Sequence, residues 1–309
     1  MADVSIIIPA FNAAEFMGET LSSVAAQTFT SHEVIVVNDG SRDTEDLERE
    51  LKRYQAPLQY IKQENRGAAA ARNTGVRAAK GEFVAFLDAD DTWLPTFLEQ
   101  QMALLKRTNA DLVYADALLT GESPMAGRRF MQMHPSRGHV TPENLLALKV
   151  TVLTSTVLAR KAAILEADLF DETLRRGQDF DLWLRLAKRG ARFAYQREVL
   201  AHHRIVETGL SGNEISQLKR SLAVLEAVKS KVLLTSSENE ALQANMNRTL
   251  RMLALENGKE KLMRRDFAGA RESFEEAKKF RHSWKLILVS LGLRVAPEIL
   301  WRIYNRRLA

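Results

Sequence analysis

Over its first 120 residues the chain switches repeatedly between two sequence periods, and this alternation restricts its possible folds more than any other feature. Short β-rich runs, VSIIIPA (Val4 to Ala10), EVIVVND (Glu33 to Asp39), LQYI (Leu58 to Ile61), EFVAFLD (Glu82 to Asp88) and ADLVYAD (Ala110 to Asp116), alternate with helical stretches near 13–27, 43–54, 68–79 and 93–107. Strands alternating with helices imply parallel strands joined by right-handed crossovers, hence an α/β sandwich with a mostly parallel sheet. In such sheets ligands bind beyond the carboxyl ends of the strands. Three polar clusters, PAFNAA, NDGSRDT and DADD, fall at those ends.

The DADD cluster sets Asp88, Asp90 and Asp91 directly after the apolar run Val84 to Leu87. Like charges so close repel unless a cation or a donor-rich ligand balances them. In an extended segment Asp88 and Asp90 share one side, with Ala89 on the other. Two such carboxylates suit a hard divalent cation, Mg²⁺ or Mn²⁺, whose remaining ligands are substrate phosphates and water. An acidic turn capping a helix that starts near Trp93 accounts for the same residues. Asp39, in NDGS, either accepts an N–H from a nucleobase or serves an ordinary turn or helix cap. In ENRGAAAARNTG (Glu64 to Gly75) four alanines let a helix pack closely on a sheet or ligand. Arg72 adds a delocalised cation near a helix start, which already favours anions. The phosphate loop of nucleotide hydrolases and the G-x-G-x-x-G pattern are both absent.

Later segments are less regular. Residues 121–139 show no clear period and read as a lid or acceptor-facing excursion. From Thr141 to about Arg204 come TSTVLARKA, read as a strand, QDFDLWLRLAKRG, a helix closed by Gly190, and VLAHHR, a strand. His202 and His203 read as ordinary strand residues, and Trp183 as core packing. From Glu214 onward the pattern is helical. The expected division is therefore an α/β domain over 1–210 and a helical region over 211–309. EKLMRRDFAGARESFEEAKKF (Glu260 to Phe280) resembles half of a tetratricopeptide repeat, but one copy favours a plain helical hairpin.

Composition removes several classes. The 309 residues contain no cysteine, which excludes disulfides, zinc–thiolate sites and thiol nucleophiles. MADVSIIIPAFN lacks the basic segment of a signal peptide, and no window holds about 18 uninterrupted apolar residues. A cytoplasmic protein is expected. From Lys259 to Ala309 there are 13 Lys and Arg against 6 Asp and Glu, so the tail alone exceeds the chain's net charge of +5. With the excess confined to the tail and no nucleic-acid motif, nucleic acid is not an expected partner. Residues 283–309 mix Trp, Leu and Ile with Lys285, Arg294, Arg302, Arg306 and Arg307. They read either as a peripheral membrane contact or as the completion of a helical bundle.

Five segments, VSIIIPAFN, VIVVNDGSRD, NRGAAAARNTG, GEFVAFLDADD and GQDFDLWLRLA, occur in the order and spacing of the inverting family-2 glycosyltransferases, and from Val4 to Arg204 the chain resembles that family. The resemblance implies a GT-A fold, a nucleotide-sugar donor with a UDP-sugar favoured, and Mn²⁺ or Mg²⁺ as cofactor. Pro9, Ala10 and Asn12 would line the donor pocket. Asp39 would face the base and Arg72 would lie beside it. Asp88 and Asp90 match the D-x-D motif, with Asp90 on the metal and Asp88 holding the ribose and helping to place the cation. Asp91 is a further candidate metal contact, and Arg204 would reach the diphosphate or help close the site. Asp179 matches the family's catalytic base, although Gln178 stands where the family has glutamate. Asp181 is its nearest rival. The acceptor would be a hydroxyl of a glycan or lipid-linked glycan in cell-envelope or exopolysaccharide synthesis, reached at the inner face of the cytoplasmic membrane. Two other readings compete. A sugar nucleotidyltransferase needs a basic glycine-rich loop that PAFNAAEF lacks, and a non-catalytic scaffold would act through the helical C-terminus.

Overall fold

The structure, a computed structural model, describes residues 2–205, 214–281 and 283–305. The chain forms two compact units, Met1–Glu207 and Thr208–Ala309. The boundary expected at 210/211 lies outside the described residues, as do Arg306 and Arg307.

The first unit runs β1 (Val4–Ala10), α1 (Ala14–Ala25), β2 (His32–Asp39), α2 (Thr44–Leu51), β3 (Leu58–Gln63), α3 (Ala68–Ala78), β4 (Phe83–Phe86), β5 (Thr92–Trp93), α4 (Phe97–Thr108) and β6 (Leu112–Thr120). It continues through α5 (Phe130–Met133), α6 (Pro142–Leu146), a 3₁₀ turn (Thr154–Thr156), β7 (Leu158–Arg160), α7 (Lys161–Glu166), α8 (Gln178–Lys188) and β8 (Phe193–Arg204). The eight strands form one sheet in the order β3-β2-β1-β4-β7-β6-β8-β5. β1 pairs in parallel with β2 and β4, β2 with β3, and β6 with β8; β7 and β5 run antiparallel to their neighbours. The mostly parallel α/β sandwich is as expected.

Alternation along the strands divides the core between the two faces. Ile6, Ile8, Val34 and Val36 join α1 and α4 in one cluster, while Ile7, Ile35 and Val37 join α3 and α8 in the other. The alanine run brings α3 very close to the sheet. Ala69, Ala70 and Ala71 are buried, and a Cβ added at Gly75 would lie 2.4 Å from Ile7 Cγ2. Pro142 at the start of α6 follows Thr141, whose hydroxyl accepts the Asn144 N–H, a capping arrangement that defines the helix start.

Two local expectations change. TSTVLARKA is not one strand: Thr154–Thr156 form the 3₁₀ turn, only Leu158–Arg160 are extended, and Lys161 opens α7. The helix expected near Trp93 starts at Phe97, because Thr92–Trp93 pair with β8 and the Trp93 indole N–H donates to Ser155 O at 2.7 Å.

The second unit is helical throughout its described residues: α9 (Glu214–Lys231), α10 (Ser236–Met263), α11 (Phe267–Phe280), α12 (Trp284–Val295) and α13 (Pro297–Asn305). A reciprocal Thr235–Glu238 capping box starts α10, and Asp266 caps α11 through the Gly269 N–H. Ala270, Phe274 and Ala277 pack with Ala254 and Leu262 in one core. A Cβ at Gly258 would lie 2.8 Å from the Phe274 ring, so α10 and α11 form a closely packed hairpin.

Candidate active site

The rim is assembled from loops that hold one another. After β1, Asn12 adopts a left-handed conformation with φ 50°, which asparagine tolerates better than most residues. Its N–H donates to Ser41 Oγ at 3.1 Å, and its Oδ1 accepts the Arg42 N–H at 2.8 Å. Asp43 accepts the Ala14 N–H at 2.9 Å, so the loop after β2 caps the helix after β1. Ala10 is buried and Pro9 half-buried at the root of this clasp.

Asp39 ends β2 with only 2% of its surface exposed. Its Oδ1 accepts Gln63 Nε2 at 2.7 Å and the Arg66 N–H at 2.9 Å, while Oδ2 accepts the Gly67 N–H at 2.7 Å. The carboxylate therefore fastens the 64–67 loop, and one acceptor position remains on Oδ2.

On α3, Arg72 is almost wholly buried, and its Nη2 lies 2.5 Å from Asp88 Oδ1. Burial opposes its charge, but Asp88, then Asp179 and Asp90, hold the guanidinium more firmly protonated than usual. Its buried Nε has no hydrogen-bond partner among the described residues. In return, Arg72 keeps Asp88 below the ordinary carboxylate range against the cost of burial.

DADD is a turn rather than an extended segment: the Asp91 N–H donates to Asp88 O at 3.0 Å. Thr20, fully buried on α1, pins it by donating to Ala89 O at 2.8 Å and Asp91 O at 2.9 Å. Asp91 has no exposed surface. It accepts His203 Nδ1 at 3.0 Å and the Arg204 N–H at 2.8 Å, so it anchors β8. Burial works against a charge on His203, yet Asp91 raises its pKa to about 9. His203 is thus paired with Asp91 at the turn as well as being part of β8, and His202 lies with its Nδ1 3.4 Å from Thr92 Oγ1. Arg204 donates from Nε to Asp90 O at 3.1 Å, pairs with Glu19 and lies over the Phe16 ring.

Asp179 stands in the first turn of α8. Its Oδ1 accepts the Phe180 N–H at 2.8 Å, and its Oδ2 accepts Thr154 Oγ1 at 3.2 Å. The adjacent Ser155 Oγ accepts the Asp88 N–H at 3.2 Å. The 3₁₀ turn therefore ties Asp88 and Asp179 to consecutive residues, and Arg72 senses both charges. Asp181 faces elsewhere, as its helical position implies, and is held by Arg185 at 2.8 Å. Gln178 Oε1 is buried without a hydrogen-bond partner among the described residues. Trp183 is core, packed near Phe86 and Phe170.

The carboxylates fit a divalent cation of limited protein ligation. Arg72 serves Asp88 and His203 serves Asp91, whereas Asp90 has no ion-pair partner among the described residues. Burial, then Asp91 and Asp88, push its pKa up to about 7. A carboxyl under that repulsion gains from a cation placed against it. Among the described residues no group of three or more His, Asp or Glu is placed to hold a metal ion by itself.

Thr20, Thr154 and Ser155 were not singled out by the sequence reading. The one available signal was Thr20, a polar residue within the buried stripe Met17, Leu21 and Val24. Thr20→Val keeps the shape but leaves the Ala89 and Asp91 carbonyls without that donor. The expected loss is about 1–3 kcal/mol in urea unfolding, because each buried acceptor loses its hydrogen bond.

Comparison with known proteins bears on this rim. The sequence model for Glycosyl transferase family 2 matches residues 5–168. The chain is 30% identical over 241 residues to the amylovoran biosynthesis glycosyltransferase AmsB of Erwinia amylovora, covering 74% of this chain and 79% of AmsB. It spans only 27–31% of the length of the first curated relatives it matches, uncharacterized glycosyltransferases of Rickettsia. Among solved structures, S. aureus TarS 1–349 in complex with UDP superposes with TM-score 0.61 at 20% identity, over 99% of this chain and 90% of that one. The mannosyltransferase PcManGT of Pyrobaculum calidifontis, in complex with GDP-Man and Mn²⁺, gives 0.65 at 19% identity, over 98% and 83%. At such identities the likeness establishes a shared fold.

Proposed function

Because the chain belongs to glycosyl transferase family 2 and has the GT-A fold, we propose that it moves a sugar from a nucleoside-diphosphate-sugar to a hydroxyl of a glycan or lipid-linked glycan, with inversion. The observation that carries this reading is the tie of Asp88 and Asp179 to consecutive residues of one turn, with Arg72 acted on by both charges. It supports reading the two as a donor carboxylate and a base that share one frame.

Pro9, Ala10 and Asn12 line the donor pocket, and Asp39 offers its remaining Oδ2 position to a base N–H. Arg72 orients Asp88, which receives the ribose. Asp90, with Asp88 beside it, would hold Mn²⁺ or Mg²⁺, whose charge would stabilise the leaving diphosphate when bound. Arg204 approaches the diphosphate by exchanging Glu19 for it. Asp179 accepts the proton of the acceptor hydroxyl, whose oxygen bonds to the anomeric carbon as the opposite carbon–oxygen bond to the diphosphate breaks.

AmsB, named for amylovoran biosynthesis, supports a role in polysaccharide synthesis. UDP in the TarS complex favours a UDP-sugar, and Mn²⁺ in the PcManGT complex favours a metal-dependent donor site. No described helix is long and apolar enough to cross a membrane. A lipid-linked acceptor would be met at the inner membrane face.

The test is nucleoside diphosphate release from UDP-, GDP- and dTDP-sugars with Mn²⁺. Release from one donor class, abolished by a chelator and by Asp90→Asn, is expected. Release that ignores both treatments would contradict the donor-site assignment.

A further inference from the structure

The last two helices present an apolar face to solvent. Among the described residues, 13 large hydrophobic side chains are exposed, and seven of them fall between Trp284 and Ile303. On α12 they are Trp284, Ile287, Leu288, Leu291 and Val295. At 3.6 residues per turn these positions occupy one arc of about 100°. Leu286, Ser290 and Leu293 lie on the opposite side and are buried. Lys285 and Arg294 fall at the two edges of the exposed arc and are themselves exposed. The pattern continues on α13, where Ile299 and Ile303 are exposed one turn apart with Arg302 beside them. Leu300, Trp301 and Tyr304 pack inward.

The two readings of the tail thus belong to different faces of the same helices. The inner face completes the bundle, and the outer face is apolar with a basic margin. Basic side chains at such margins keep their heads in a polar layer while the apolar arc enters a greasier one.

We propose that this face docks on a bilayer surface bearing anionic lipid headgroups. The proposal stands apart from the reaction, since it rests on the geometry and charge of these helices. Charge argues for a bilayer over a second copy of the chain. Among the described residues of the two helices, Lys285, Arg294 and Arg302 are exposed against one acid, Glu298. A two-fold interface would set this basic surface against itself, whereas anionic headgroups complement it.

The experiment uses the full chain with phosphatidylcholine vesicles, with and without phosphatidylglycerol. Trp284, 68% exposed, reports directly, because Trp93 and Trp183 are buried and Trp301 is half-buried. Co-sedimentation with the phosphatidylglycerol vesicles is expected, with a blue shift of emission that Trp284→Phe removes. Lys285→Gln with Arg294→Gln should weaken partitioning roughly thirtyfold. Leu288→Asp with Leu291→Asp should abolish it, and both pairs are exposed, so the fold should persist by circular dichroism.

Light scattering in solution supplies the opposing outcome. A dimer that Leu288→Asp with Leu291→Asp splits would overturn the proposal and make the face a self-interface. A monomer that ignores the anionic vesicles would overturn it as well.

Discussion

Asp179→Asn is expected to lower the transfer rate by about 10²–10⁴ while leaving donor affinity within about twofold, as loss of a general base does. The asparagine oxygen can still accept one of the two hydrogen bonds that hold Asp179, from the Phe180 N–H or from Thr154. What disappears is the capacity to take a proton from the acceptor hydroxyl. Asp181 provides the contrast. It is 6% exposed and paired with Arg185, whose Nη2 donates to Leu169 O at 2.7 Å. Asp181→Asn should therefore reduce stability and leave turnover per folded molecule nearly intact. Steady-state kinetics of both variants, with donor affinity measured separately, checks the assignment. Unchanged turnover in Asp179→Asn would remove it as the base.

Arg72→Met removes the cation that balances Asp88. Breaking a fully buried ion pair costs about 3–5 kcal/mol, since the remaining charge is stranded. Asp88 keeps 30% of its side chain in solvent, whereas Arg72 keeps 7%. Solvent screening reduces the expected loss to about 2–3 kcal/mol, measured by urea unfolding near neutral pH. The loss also depends on pH. Asp88 has a folded pKa below its ordinary 3.8, so its contribution is present above that value and fades as pH falls through the lowered one. Wild type and variant should therefore converge in stability in acid. Donor binding should fall too, because the variant no longer orients Asp88. A variant as stable as wild type at neutral pH would contradict the Arg72–Asp88 pairing.

Much of the first unit was legible because its signals are local. Apolar runs alternating with amphipathic stretches specify strands and crossovers, and polar clusters at strand ends mark the rim. The Ala-rich segment likewise announced a close approach, realised at Gly75 against Ile7. Contacts between residues distant in sequence were not legible. Nothing near DADD indicates that Thr20 pins its carbonyls, or that Asp91 is claimed by His203, 112 positions later. Asp39 illustrates the same limit: three donors from the 63–67 segment converge on its carboxylate, a tertiary arrangement with no sequence period. TSTVLARKA misled because β-branched residues suit strands, while here Thr154 and Ser155 are engaged by Asp179 and Asp88 and close a tight turn. The tail's two readings were inseparable by composition, and only the burial of Leu286 and Leu293 opposite the exposed Leu288 and Leu291 separates a packed face from an open one.

The most direct measurement is a calorimetric titration of UDP, and separately of GDP, into wild type and Asp90→Asn, each with Mn²⁺ and with a chelator. The expected result is binding of one diphosphate to wild type with Mn²⁺, weakened about tenfold or more by the chelator or by Asp90→Asn, equivalent to about 1.4 kcal/mol. Equal affinity under all four conditions, or no binding of either nucleotide, would contradict a metal-assisted donor site at Asp88 and Asp90.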